Sequence, residues 1–238
     1  MTLISHKHKF IFIKTRKTAS TTIENLFVEY CLYKDIDKYR NKEYRYCSIN
    51  DYGVVSVSGN GLNTYKNKLV RNNRNENKDK APIREHENAY SIKEYLGDNK
   101  FNDYFKFTSV RNTYDMMVSR FFWNENRYNE LFNIPNKEII DKFRFFIKNF
   151  DFNKNNNYNL YTIDNKPVCN FYINYENMNN DLEKVFNILN IPYDNNILSF
   201  KKNYRLKDLK LEDLYDQKTY DIVYNNYCDE IKLFNYEL

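Results

Sequence analysis

One lysine, a cluster of hydroxyls and one arginine sit where an anion is readily held. Lys17 begins the run Lys17-Thr18-Ala19-Ser20-Thr21-Thr22, between the apolar stretch Lys9–Lys14 (KFIFIK) and a helical pattern. A strand–loop–helix junction presents backbone N–H groups and the positive end of the helix dipole. Lys17 adds a full charge, and Thr18, Ser20, Thr21 and Thr22 add hydroxyl donors. The bland alternative is a Ser/Thr-rich helix cap beside a solvated lysine. The Walker A pattern is absent, and Gly59-Asn60-Gly61 has Thr64 where a dinucleotide loop needs its third glycine. An anion here must be held by a glycine-free loop. Arg111 follows a second apolar run, Phe105–Val110 (FKFTSV), where a guanidinium can grip phosphate bidentately. Ser119 comes eight residues later, about two helical turns on. The bland reading of Arg111 is a structural ion pair.

Proton transfer near neutral pH calls for histidine first. The chain has three: His6, His8 and His86. His6 and His8 precede the first apolar run in a polar terminus and read as solvated tail residues. His86 stands at the entry to a helix in IREHENAYSIKEYLG and is the candidate general base, with Glu85, Glu87 and Glu24 as rivals. Its bland reading is a histidine that caps its own helix.

The elements that must position these residues follow from periodicity. Lys9–Lys14, Phe105–Val110 and Val168–Ile173 read as buried strands, and Val54–Ser58 fits a strand pattern. Ile23, Leu26, Phe27, Tyr30 and Cys31 share one helical face. Further helices are predicted from Asn88 to a stop at Gly97, from about Asp115 to Trp123, and over 136–150. Others carry Met178, Leu182, Val185, Phe186 and Leu189, and Tyr220, Val223, Tyr227, Ile231 and Phe234. Asn153–Asn159 and the apolar-free run Arg71–Lys80 read as loops. Alternating strands and helices predict an α/β fold: a single domain over 1–238, with a mostly parallel central sheet flanked by helices. Ligands in such sheets bind beyond the carboxyl ends of the strands, where both polar loops fall.

Composition narrows the class. At 42% apolar and 18% aromatic residues, the chain can fill a core built largely of rings, which argues against disorder. The net charge of +5 is spread along the chain, which suits an anionic ligand without requiring nucleic acid. Four cysteines without a C-x-x-C pair predict reduced thiols and no zinc site. With neither a signal-peptide pattern nor an apolar stretch of membrane length, a soluble cytoplasmic protein with no membrane partner is expected.

The loop KTRKTASTTIE, Lys14 to Glu24, resembles the 5′-phosphosulfate loop of PAPS-dependent sulfotransferases (PAPS is 3′-phosphoadenosine-5′-phosphosulfate). It is most similar to the carbohydrate branch that includes heparan sulfate 2-O-sulfotransferase and bacterial relatives. VRNTYDMMVSRFFW, Val110 to Trp123, resembles the 3′-phosphate motif of the same family, with Thr113 where proline is usual. Proline would only pre-set the helix start, so the departure bears on the local turn. INYENMNND and the closing helix extend the resemblance, and residues 34–80 contribute least to it. The resemblance implies a P-loop-like sulfotransferase fold and transfer of sulfonate from PAPS to a hydroxyl, on a carbohydrate. It implies cofactor contacts from Arg16, Lys17, Thr18, Ala19, Ser20, Thr21, Thr22, Arg111 and Ser119. Lys202 and Arg205 join them from a late basic loop. It makes Lys17 the catalytic cation at the bridging oxygen, and a similar H-x-x-A segment in bacterial members supports His86 as base. Two rival readings stand beside it: a kinase- or NTPase-like enzyme with a degenerate phosphate loop, and a non-catalytic module for nucleic acid or a polyanionic glycan.

Overall fold

The computed structural model describes residues 2–32, 48–55, 83–123, 134–193 and 209–238. Along the chain run β1 (Leu3–Ser5), β2 (Phe10–Ile13), α1 (Ser20–Phe27), α2 (Glu29–Leu32), β3 (Ser48–Asn50) and β4 (Gly53–Val55). Next come α3 (Ala89–Leu96), α4 (Asp98–Asp103), β5 (Phe105–Val110), α5 (Thr113–Trp123) and α6 (Asn136–Lys148). The chain finishes with β6 (Thr162–Ile163), β7 (Lys166–Pro167), β8 (Phe171–Asn174), α7 (Met178–Leu189), α8 (Leu211–Leu214) and α9 (Gln217–Phe234). Two compact units form: Met1–Ser109 with Asn159–Leu198, and Val110–Tyr158 with Ser199–Leu238.

The first unit is a mixed α/β layer. Among the described residues its sheet has the order β3-β4-β1-β2-β5-β8. The expected parallel pairing appears where Phe10–Ile13 run beside Phe105–Thr108. The β1–β2, β1–β4 and β3–β4 pairs are antiparallel. Tight turns join β1 to β2 and β3 to β4, and a short turn can return a strand only antiparallel. β2 is buried along its whole length, as an apolar run without alternation requires. Above it, α1 buries Ile23 and Phe27; the Phe27 ring stacks on Phe186 at 4.5 Å and meets Phe107 at 4.9 Å. α7 supplies Leu182, Val185 and Phe186 to the same core.

The second unit is helical. α5, α6 and α9 pack Met117, Phe121, Ile139, Phe143, Ile147, Val223, Tyr227 and Ile231 into one core.

Several boundaries differ from the sequence reading. The polar N-terminus holds a buried strand, β1, so His6 and His8 are not solvated tail residues. His6 hydrogen-bonds Tyr104 Oη through Nδ1 at 2.9 Å, and His8 meets the Tyr30 ring edge-on. β1 is three residues long, too short to carry a period. The third strand is Phe171–Asn174 rather than Val168–Ile173, because Asn170 bonds Lys106 before the ladder begins. α5 starts at Thr113, two residues early, since Asn112 caps it by accepting from the Tyr114 and Asp115 amides. The expected loop Asn153–Asn159 contains 3-10 turns at Asn153–Asn155 and Tyr158–Leu160. Of the Val54–Ser58 pattern, Val54 and Val55 lie in β4; the remainder, and the Arg71–Lys80 run, lie outside the described residues. Among the described residues no helix is long and apolar enough to cross a membrane.

Candidate active site

The first unit builds a loop at the carboxyl end of its parallel strands. Ile13 pairs with Thr108, and Thr108 Oγ1 donates to the Ile13 carbonyl at 2.7 Å. The chain then leaves the sheet, and three buried hydroxyls hold it in shape. Thr15 Oγ1 donates its proton to the Ser109 carbonyl at 2.5 Å. A hydroxyl has one proton, so Thr18 must be the donor in its 2.8 Å bond to Thr15. By the same count Ser109 Oγ donates to Thr18 at 2.7 Å. The result is a closed, directional ring from Ser109 through Thr18 and Thr15 back to Ser109. Ser20 Oγ adds a bond to the Thr15 carbonyl at 2.6 Å.

This ring replaces glycine. Lys17 and Ala19 have φ of 65° and 57°, in the left-handed region. Each costs a residue with a Cβ about 1–2 kcal/mol, sustained only where the surroundings over-determine the backbone. Left-handed Ala19 is followed by helical Ser20, the alternation that gathers successive N–H groups into an anion-binding concavity. α1 carries no acidic residue in its first turn to oppose an anion. Thr18 and Ser20 commit their protons inside the loop, and the Thr22 amide donates to the Ala19 carbonyl at 2.9 Å. Contact with an anion falls to backbone N–H groups around Ala19–Thr21, to the hydroxyls of Thr21 and Thr22, and to the half-buried Arg16 and Lys17.

Beneath the loop lies a buried charge cluster. Lys14 Nζ bonds Glu24 Oε2 at 2.6 Å and Glu85 Oε1 at 2.7 Å. Burial opposes ionisation of Glu85, but the Lys14 ammonium together with other positive charge nearby outweighs it and holds that carboxyl at about 2. Glu24 is likewise held below the usual range, burial being overcome by surrounding cations that include Lys14. Both are therefore ionised and already engaged by the Lys14 ammonium, which sets these two rivals apart from His86. Glu87 accepts instead from the Arg84 and Asn88 amides.

His86 Nδ1 lies 3.0 Å from the Lys14 carbonyl oxygen. A carbonyl has no proton to give, so Nδ1 carries the hydrogen and the neutral ring presents Nε2 as acceptor. Burial lowers the ring to about 4; the bond to Lys14 opposes this, and Arg16 adds to it. His86 is thus neutral at physiological pH in the tautomer a base at Nε2 requires.

The second unit holds Arg111 and Ser119. Arg111 Nε donates to Asp115 Oδ2 at 2.6 Å, and Nη2 reaches the same oxygen at 2.5 Å. The ion pair expected as the bland reading is present, and it fixes the guanidinium across the first turn of α5. Ser119 lies half-buried on the same helix. Lys202 and Arg205 lie outside the described residues.

One unit thus gathers Arg16, Lys17, Thr18, Ala19, Ser20, Thr21, Thr22 and His86, together with Glu24 and Glu85. Sequence reasoning missed Lys14, Thr15 and Ser109. Lys14 read as the polar end of a strand, and nothing in its spacing points to carboxylates 10 and 71 residues away. Comparison of the chain with protein-family models, curated proteins and solved structures gives no match.

Proposed function

We propose that this chain is a PAPS-dependent sulfotransferase that moves sulfonate to an acceptor hydroxyl, on a carbohydrate. The observation that carries the reading is the bond between His86 Nδ1 and the carbonyl of Lys14, three residues before Lys17. It ties a neutral base to the cationic loop within one compact unit. Supporting it are the glycine-free loop at the start of α1, pinned by the Thr15–Thr18–Ser109 ring, and the two motifs in the order the family uses. The fit to a phosphosulfate rests on the left-handed Ala19 and the first turn of α1, whose amides and lack of carboxylates suit an anion.

Arg16, Lys17 and the amides of Thr18–Thr21 hold the 5′-phosphosulfate in this reading, and the sequence resemblance assigns the 3′-phosphate to Arg111, oriented by Asp115, and Ser119. When bound, PAPS supplies the sulfonate as the transferable group. His86 Nε2 takes the proton of the acceptor hydroxyl as its oxygen bonds to sulfur. The Lys17 ammonium stands against the charge that develops on the departing phosphate oxygen. A cation there stabilises the transition state more than the ground state. A cytoplasmic location and a glycan acceptor belong to the same proposal.

Thermal denaturation with adenosine 3′,5′-bisphosphate, AMP and ATP tests the nucleotide, and transfer of labelled sulfonate to a panel of glycans tests the chemistry. The bisphosphate should raise the melting temperature where AMP and ATP do not. Lys17→Ala should lower transfer by roughly 100-fold or more while changing bisphosphate binding much less. Equal shifts with all three nucleotides, or transfer by Lys17→Ala within a few-fold of wild type, would refute the reading. A Mg²⁺-dependent shift with ATP alone would favour a kinase-like enzyme instead.

A further inference from the structure

Two successive carbonyls tie the His86 ring and the start of α1 to the same stretch of chain. The Lys14 carbonyl takes the Nδ1 hydrogen of His86 at 3.0 Å. The Thr15 carbonyl takes the hydroxyl of Ser20, the first residue of α1, at 2.6 Å. Consecutive Cα atoms stand only about 3.8 Å apart. Arg16 and Lys17 follow directly, so the cationic loop and the first turn of α1 lie within about one Debye length of the ring. All of these residues belong to one compact unit. Burial and the Arg16 guanidinium both disfavour a proton on His86. At about 4 the ring is a weak base, whereas a general base works best when it titrates near the working pH.

We propose that an oxyanion seated at the start of α1 strengthens His86 as a base: the site takes up its anion and a proton on Nε2 cooperatively, so the base gains strength once the sulfonate donor is in place. The inference deepens the reading of this loop as the phosphosulfate site and rests on it. The charged groups around the ring are Arg16 of the loop, Lys14 at the strand end, Glu85 beside it and Glu24 of α1 beyond Lys14. Glu87 turns to the Arg84 and Asn88 amides. An incoming oxyanion adds negative charge against the loop and leaves all of these in place. A bound ligand also excludes water from the ring, which acts in the opposite sense, so the sign of the change separates charge from burial.

The test is nitrogen-detected NMR titration of His86 in the full chain: alone, with inorganic sulfate, and with adenosine 3′,5′-bisphosphate. Sulfate does not itself titrate in this range, so a proton taken up belongs to the protein. Chloride at matched ionic strength accounts for general screening. Each anion should perturb the amides of Ala19–Thr21 and make His86 bind its proton about tenfold more tightly. By reciprocity, sulfate affinity should rise by about the same factor as pH falls through the titration of the ring. That rise should be missing in His86→Asn. Loop amides that respond while the ring stays still, or moves no more than in chloride, would overturn the proposal and leave the loop reading standing. A ring that binds its proton less tightly would overturn it in the same way. Loop amides that respond to neither anion would refute the phosphosulfate reading and the proposal together.

Discussion

Acidification should weaken the folded protein in a way that a substitution at His86 can isolate. His86 titrates at about 4 in the fold against an ordinary 6.5, because burial disfavours the imidazolium. Its folded affinity for protons is the lower one, so the unfolded chain binds the proton first as pH falls. Stability is full above 6.5, declines below it and levels off under 4. Between about pH 7 and about pH 5 the linkage integral is ~2 kcal/mol, and partial solvation of the ring trims this to ~1–2 kcal/mol. The ring is 21% exposed, which is why the trim is modest. Glu85 also loses stability on acidification, but its window lies lower, between its ordinary 4.5 and about 2, so the two separate. The assay is urea denaturation of wild type and His86→Asn at both pH values; asparagine keeps a donor for the Lys14 carbonyl and cannot titrate. His6 and His8 titrate in both proteins and cancel. Wild type should lose ~1–2 kcal/mol more than His86→Asn. Equal losses would refute the claim that His86 is buried and neutral.

Thr18→Val keeps shape but breaks the hydroxyl ring, leaving Ser109 without its acceptor and Thr15 without its donor; denaturation should register a loss of about 1–3 kcal/mol. In the same variant the loop residues Lys17 and Ala19 lose their restraint, so bisphosphate affinity should fall as well, measured by calorimetry. Arg111→Ala should weaken adenosine 3′,5′-bisphosphate much more than AMP, by about 1–3 kcal/mol for a lost charged hydrogen bond; equal loss for both would remove its 3′-phosphate role. Gly53→Ala should cost about 3 kcal/mol or more in denaturation, because the added Cβ would overlap the Ile4 carbonyl oxygen across the β1–β4 ladder.

The residues that carry chemistry in this chain were legible one by one. Lys17 and its hydroxyl neighbours announced a strand–loop–helix junction, and Asn88 and Gly97 marked the ends of α3 as written. His86 stood out because few titratable groups fall near neutrality. These are local signals, set by periodicity, capping and side-chain chemistry within a few residues. Three things came only with tertiary structure. The hydroxyls of Thr18 and Ser20, read as ligands, turn inward, because Ser109 lies 91 residues away in sequence yet 2.7 Å away in space. The antiparallel strand β1 was invisible because three residues hold no period. The split between one usable base and two committed carboxylates was invisible as well. Glu24, Glu85 and His86 look alike as candidates in the sequence. Which of them keeps a lone pair clear of a buried cation depends on where the positive charges, Lys14 among them, come to rest.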